Sequence, residues 1–165
     1  MNANPVLVEA LRGTALESAH RGAVAIVDAD GGTVLALGDT ARAVFPRSAV
    51  KLLQALPLVA SGAADALGLT DAELAIACAS HNGEPAHTAT ASAVLARLGL
   101  DEAALECGTH WPYHEPSSRK LARERHGPSA LHNNCSGKHS GFVCLGCLMA
   151  LQAGREPAEF VQGYV

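Results

Sequence analysis

The chain has 165 residues and a formal net charge of −4. Hydrophobic residues make up 48% of it and charged residues 17%, which excludes intrinsic disorder because disordered chains are poor in apolar residues. The 12 Lys and Arg residues form no basic stripe, so we expect no nucleic-acid partner. We expect no membrane partner either, because no apolar run approaches the roughly 20 residues that cross a bilayer.

The same features set expectations for domain organisation and compartment. The length predicts a single domain over residues 1–165. The first residues lack a basic region followed by an apolar one, so we expect no secretory signal and a cytoplasmic protein. The five cysteines are an odd number, which favours reduced thiols over a disulfide framework.

The first quarter of the chain has the pattern of β-strands. In residues 22–39 two apolar, β-branched runs flank Asp30-Gly31-Gly32, which predicts a hairpin because these residues tolerate the positive φ of a tight turn. A further strand is predicted for residues 6–11. We therefore expect this part of the chain to supply an antiparallel sheet.

From Ser48 onward the apolar spacing becomes helical. Ser48 is the predicted N-cap of the first helix, and Pro57 is expected to kink or end that helix. Thr70 and Glu73 have the spacing of a capping box at the start of the next helix. Further helices are predicted for residues 84–98, 101–105, 117–125 and 134–152. Because strands precede helices rather than alternating with them, we predict an α+β fold with an antiparallel sheet and packed helices.

The first candidate for chemistry is the segment Arg47-Ser-Ala-Val-Lys51. Residues at i and i+3 of a helix share a face, so the Lys51 side chain can reach the Ser48 hydroxyl. Serine is a weak nucleophile until a base takes its proton. A lysine can be that base only as the neutral amine, a form that burial or a neighbouring cation favours. The spacing alone is a weak signal, because a capping serine and a solvent-facing lysine produce it too.

A second candidate is Cys78-Ala-Ser80-His81-Asn-Gly-Glu84, which places a hydroxyl, an imidazole and a carboxylate within five residues. The segment falls where a predicted helix passes into a loop, and functional groups are frequent in such loops. A turn with a serine cap explains the same residues. Ser80 and His81 therefore enter as candidates whose role depends on what else lies near them.

The third candidate precedes the longest predicted helix and reads His132-Asn-Asn-Cys-Ser-Gly-Lys-His-Ser-Gly141. A helix N-terminus and a lysine three residues later both favour the thiolate of Cys135, and a thiolate can bind zinc. The segment is not a P-loop, because His132 stands where that motif has its first glycine. Asn134 and His139 add an amide and an imidazole to the same segment.

These motifs, in this order, resemble those of the rhizobial-type L-asparaginase family. Three runs carry the resemblance: Pro46-Arg-Ser-Ala-Val-Lys51, Cys78-Ala-Ser-His-Asn-Gly-Glu84 and Leu131-His-Asn-Asn-Cys-Ser-Gly-Lys-His-Ser-Gly141. Two shorter runs look like that family too: His20-Arg-Gly-Ala-Val24 and Cys107-Gly-Thr-His-Trp-Pro112. The resemblance covers about residues 6–141 in the family's order and spacing.

The resemblance implies an amidohydrolase that converts L-asparagine into L-aspartate and ammonia. It implies a fold similar to serine β-lactamases and glutaminases, assembled as a homodimer. Ser48 and Lys51 look like one Ser-Lys pair, and Ser80 resembles a second active-site serine whose lysine partner lies further along the family chain. Cys135 and Lys138 resemble zinc-site residues, in a site where zinc tunes substrate handling rather than attacking the amide.

The residue types also suggest how a substrate is held. Arg47 is predicted to pair with the substrate α-carboxylate through two parallel hydrogen bonds. His139 and Asn134 are expected to orient water or the side-chain amide. His81 is a further predicted substrate contact.

Members of the family are longer than this chain and place the second lysine and the second zinc cysteine beyond its last residue. We therefore expect the N-terminal part of a longer asparaginase domain, with an incomplete fold whose uncovered sheet edges and apolar helix faces promote association. Two alternatives stay open. One is an inactive half-enzyme that binds zinc or a partner chain, and the other is a glutaminase-type serine hydrolase.

Overall fold

The computed structural model describes residues 4–157. Its first strands form a hairpin, in which β1 (Val6–Arg12) pairs antiparallel with β2 (Ala15–Arg21). Arg12 lies opposite Ala15, so the turn is two residues long, and Gly13 supplies its positive φ of +64°. The strand predicted for residues 6–11 is confirmed. Its partner β2 was not predicted.

A second hairpin pairs β3 (Val24–Val27) with β4 (Thr33–Leu37) in a separate two-stranded sheet. The Asp28 carboxylate shapes the turn by accepting the backbone N–H groups of Asp30 and Gly32 at 3.0 and 2.6 Å. This is an Asx turn, which explains why an aspartate opens the loop. The hairpin predicted within residues 22–39 is confirmed.

The regular structure in the rest of the described chain is helical. Three 3₁₀ turns lie before or between the α-helices: Arg47–Val50, Glu102–Ala104 and Ala130–His132. The α-helices are α1 (Lys51–Ala60), α2 (Ala63–Ala66), α3 (Asp71–Cys78), α4 (Pro85–Ala96), α5 (Glu115–Arg123) and α6 (Ser136–Gln152). By its internal contacts the chain divides into two units between Phe45 and Pro46. The expected single domain over residues 1–165 stays a prediction.

Helix α6 is the centre of the helical unit, and α1, α3 and α4 pack against it. The core they share is formed by fully buried side chains, among them Leu58, Val94, Leu95, Cys144 and Cys147. Burial raises the pKa of the Cys144 thiol to about 12, so this thiol is unreactive. All five cysteines are free thiols, as expected for reduced cysteines.

The predicted cap of α1 is wrong. The helix begins at Lys51, after the 3₁₀ turn, and Ser48 therefore lies one turn before it and caps nothing. Pro57 lies inside α1, which continues to Ala60, so the helix does not end at this proline, and the alternative of a kink stays a prediction. The capping box at α3 is confirmed, because Glu73 N–H donates to the Thr70 hydroxyl and the Glu73 carboxylate accepts the Thr70 N–H.

The observed architecture confirms the α+β class, with small antiparallel sheets and packed helices. Within residues 4–157, no helix has the length and apolar character that a membrane crossing requires. The fold brings the start of α1, the end of α3 and the start of α6 close together, and the candidate residues lie at these helix ends.

Candidate active site

The Lys51 side chain joins the three sequence motifs in space. Its ammonium donates to the carbonyl oxygen of Ala79 at 2.7 Å and to that of Asn134 at 3.3 Å. The residue is only 3% exposed, so these contacts are shielded from water. Hydrogen bonds from Lys51 therefore bring together Ala79 and Asn134, which lie 28 and 83 positions away from it in the sequence.

Both candidate serines lie beside this lysine along the backbone. The Lys51 N–H donates to the Ser48 carbonyl, which closes the 3₁₀ turn that contains Ser48. Side chains at i and i+3 of a 3₁₀ turn eclipse one another, so this geometry aligns Ser48 with Lys51. Ser80 directly follows Ala79, the first acceptor of the lysine. Both serines are exposed, whereas Lys51 is buried.

His81 is buried, at 4% exposure, and both of its ring nitrogens have protein partners. Its Nδ1 accepts the Gly83 N–H at 3.1 Å, so the ring proton is on Nε2, which donates to the Ser136 hydroxyl at 2.8 Å. That hydroxyl donates in turn to the Leu131 carbonyl at 2.9 Å. Burial, helped by the nearby His87 and Lys51, lowers the pKa of His81 to about 4, which keeps the ring neutral.

Asn133 and Asn134 fix the loop that leads into α6. The Asn133 amide donates to the Cys107 carbonyl at 2.6 Å, and its side-chain oxygen accepts the Cys135 N–H at 2.8 Å. The Asn134 N–H donates to Nε2 of His110 at 2.9 Å, while His110 Nδ1 lies 2.8 Å from the Trp111 carbonyl. His110 thus anchors the loop before α6 by accepting a hydrogen bond from its backbone.

Cys135, Lys138 and His139 are half-buried around the first turn of α6. The Lys138 ammonium lies 5.5 Å from the centre of the Phe142 ring, and the His139 ring centre is 6.0 Å from the same ring. Burial lowers the pKa of His139, and the charges of Lys138 and Lys51 lower it further. An uncharged imidazole here can both donate and accept a hydrogen bond.

The residues present do not by themselves make the predicted zinc site. Within residues 4–157 no three His, Cys, Asp or Glu side chains lie close enough together to hold a metal ion. Cys135 and Lys138 are two donors, whereas a zinc site uses at least three protein ligands. Zinc binding therefore stays a prediction.

Arg47 lies at the start of this arrangement, on an exposed turn. Its φ is +52°, in the left-handed region, and in residues 4–157 Arg125 is the only other non-glycine residue there. The arginine side chain extends from a backbone conformation that costs free energy, which is frequent at functional sites.

A family model described as L-asparaginase II matches residues 8–162. The chain belongs to the L-asparaginase II family. Among curated proteins, none matches the chain. The family match covers all nine candidate residues and confirms the resemblance inferred from the motifs. Membership in the L-asparaginase II family supports a hydrolase of the asparaginase class.

For a member of the L-asparaginase II family, the arrangement places two exposed serines next to the backbone contacts of one buried lysine. The loop before α6 and its contact with the Ser80 loop are fixed by three further side chains, Asn133, His110 and Ser136. All three lie within the motifs that carry the family resemblance, but these contacts were not predicted, because each joins residues more than 20 positions apart. His110 had one weak signal, its place in the segment that contains the single tryptophan of the chain.

Proposed function

We propose that the chain hydrolyses the side-chain amide of L-asparagine through a Ser-Lys centre. The observation that carries this proposal is the buried Lys51 ammonium, bonded to the carbonyl that precedes Ser80 and one 3₁₀ turn from Ser48. Membership in the L-asparaginase II family supports the substrate class. An amide hydrolase needs a nucleophile and a base in this proximity.

The reaction would run in two balanced steps. The reaction starts once the Lys51 ammonium has released a proton to solvent. The serine oxygen then forms a bond to the amide carbon while the Lys51 amine takes the hydroxyl proton. That proton passes to the leaving nitrogen, the C–N bond breaks and ammonia departs, which leaves an acyl ester on the serine. Water then attacks the ester, the lysine again carries the proton, and aspartate is released with the serine restored.

Substrate recognition is proposed for three further residues. The Arg47 guanidinium is exposed and suited to a bidentate pair with the α-carboxylate. Asn134 lies in the loop before α6, where its carbonyl accepts from Lys51, and the half-buried His139 lies in the first turn of α6. Their task in this proposal is to orient the amide or water. We also propose the finer predictions: a serine β-lactamase-like fold and a homodimer in the cytoplasm.

The test is ammonia release from L-asparagine and from L-glutamine by the chain and its variants. We expect release from L-asparagine, with kcat reduced more than about 100-fold in S80A or in S48A, whichever removes the attacking hydroxyl. Ser92, an exposed serine of α4, provides the matched control, and S92A should equal the wild type.

The alternatives give different results. Release from L-glutamine in preference to L-asparagine indicates a glutaminase-type hydrolase. Absence of release from both amides contradicts the proposal, and zinc retention in that case favours the inactive half-enzyme. Full activity in both S48A and S80A contradicts the Ser-Lys mechanism while leaving the amidohydrolase activity in place.

A further inference from the structure

We propose that His81 and Ser136 form a buried positioning pair that holds the Ser80 loop against the start of α6. The inference rests on the proposed function, because it assigns the pair the task of aiming Ser80. In this role His81 touches no substrate, unlike the contact predicted for it from sequence. Its effect on the reaction passes through the residue before it.

The His81–Ser136 pair consists of buried groups whose hydrogen bonds are all made within the protein. Ser136 is 0% exposed, and within residues 4–157 no buried side-chain nitrogen or oxygen lacks a hydrogen-bond partner. The chain of donors runs from Gly83 N–H to His81, from His81 to Ser136 and from Ser136 to the Leu131 carbonyl. Hydrogen bonds in such a shielded place are stronger than in water, and removing one partner leaves the other unsatisfied.

Ser80 lies between two anchored residues, Ala79 and His81. On one side the Ala79 carbonyl accepts from Lys51. On the other side the His81 backbone N–H donates to the Asn134 carbonyl at 3.3 Å, and its ring holds Ser136. Ser80 itself is exposed. Because the residues on both sides of Ser80 are anchored, the Ser80 side chain is held in position and is still accessible to a substrate.

The far end of the loop packs closely against neighbouring segments of the chain. Gly83 has a φ of +73°, and a Cβ there would lie 3.0 Å from Pro112 and 3.1 Å from the His132 carbonyl. The Asn82 carbonyl accepts the His114 N–H at 2.9 Å. With its far end held in this way, the near end of the loop is held by Lys51 and His81, on either side of Ser80.

The helix offers a matched control for the serine. Ser140 is one turn further along α6 and is also 0% exposed. Its hydroxyl lies 2.9 Å from the Ser136 carbonyl and 3.4 Å from the Ala91 carbonyl, and neither of these residues belongs to the Ser80 loop. S136A and S140A therefore remove the same group at the same burial from the same helix. A purely structural role predicts similar effects for both, whereas the positioning role predicts a catalytic effect for S136A alone.

The experiment measures steady-state ammonia release from L-asparagine together with amide hydrogen exchange. In S136A we expect kcat to fall about 10- to 100-fold with KM within about 3-fold of the wild type, because a small displacement of a reacting group costs this much. Amides of residues 80–83 should exchange at least about 10-fold faster in S136A. Neither quantity should change by more than about 2-fold in S140A.

Two variants of His81 keep the test decisive if S136A folds poorly. H81Q keeps an N–H donor toward Ser136 and should retain kcat within about 5-fold, whereas H81L should lose as much as S136A. In the wild type, ¹⁵N shifts of His81 should show the proton on Nε2.

Three results would overturn the proposal: unchanged kcat in S136A and H81L, equal losses in S136A and S140A, or a proton on Nδ1. If the wild type releases no ammonia, the proposed function fails. In that case amide hydrogen exchange and the ¹⁵N shifts of His81 still decide whether the pair fixes the loop. Unchanged amide exchange of residues 80–83 in S136A refutes this positioning role.

Discussion

Arg47 combines an exposed guanidinium with a left-handed backbone, and the two properties can be separated by mutation. Its φ of +52° costs an L-residue about 1 kcal/mol relative to glycine. The cost is retained in the fold although the side chain makes no contribution to the core, since it is exposed. We therefore expect the contribution of Arg47 to lie in its side chain rather than in its backbone conformation.

We therefore predict different effects on binding and on stability for two substitutions of Arg47. R47A and R47G both remove the guanidinium, so both should raise KM for L-asparagine with little change in kcat. R47G should be about 1 kcal/mol more stable than R47A, because glycine adopts positive φ without strain. Kinetics and urea unfolding of both variants check this, and an unchanged KM excludes the carboxylate pairing.

His81 makes the stability of the helical unit depend on pH. Its folded pKa is about 4, against 6.5 for the free side chain, so between these values the unfolded chain binds a proton that the folded chain does not. Stability must therefore fall as the pH falls from 6.5 to 4, by up to about 3 kcal/mol. His132 and His139, whose pKa values burial also lowers, act in the same direction.

Urea unfolding at pH 5 and pH 7 measures this dependence. We expect H81Q to lose a large part of the difference between the two pH values while keeping the smaller part that His132 and His139 supply. Glu73 does not interfere, because hydrogen bonds from Arg97 lower the pKa of its carboxyl below 4.5 and its contribution is lost only in more acid solution. An H81Q difference equal to that of the wild type would contradict the assignment.

At the scale of elements, the close crossing of α3 and α6 determines where the Ser80 loop and the start of α6 meet. A Cβ on Gly137 would lie 2.3 Å from the Ile76 carbonyl oxygen, which is backbone and cannot turn aside. A Cβ on Gly141, one turn later, would lie 3.2 Å from the Ala77 side chain and 3.3 Å from Leu58. The first glycine is therefore obligatory, and the second is a matter of packing.

We predict that G137A destabilises the chain by about 3 kcal/mol and that G141A changes stability by less than about 1 kcal/mol. Both substitutions add the same methyl group and the same helix propensity, so the difference measures the crossing. Because the displaced helices carry Ser80 and Ser136, G137A should also lower kcat in whatever fraction remains folded. Equal stability of the two variants would show that α3 and α6 can separate without cost.

Elements with a local cause could be predicted, and elements fixed by distant contacts could not. The Thr70–Glu73 capping box and the Asp30–Gly32 turn each involve a few adjacent residues, and the structure confirms both. Strand β2 was not predicted, because its seven residues are all exposed and four of them are polar or charged: Glu17, Ser18, His20 and Arg21. The hydrogen bond between His81 and Ser136 joins residues 55 positions apart, and no local sequence pattern predicts such a pair.

At the scale of the whole molecule, the described residues leave much apolar surface in contact with solvent. The four side chains of the α1 apolar face, Leu52, Leu53, Leu56 and Val59, are each more than half exposed. They follow helical spacing, so they form one continuous strip rather than scattered positions. An exposed apolar strip of this kind indicates an association surface.

We therefore expect the chain to associate in a concentration-dependent manner, and the α1 apolar face to contribute to the contact. Replacing two of its members, in the double variant L53Q/L56Q, should weaken association at least about 10-fold in sedimentation velocity, because burial of each leucine contributes about 1.5–3 kcal/mol. L151Q is the matched control, since Leu151 is similarly exposed at the end of α6 and outside the strip. Equal weakening by L151Q would show that association is non-specific. A wild-type chain that stays monomeric at every concentration would show instead that this strip tolerates water, and the proposed homodimer would lose its physical support.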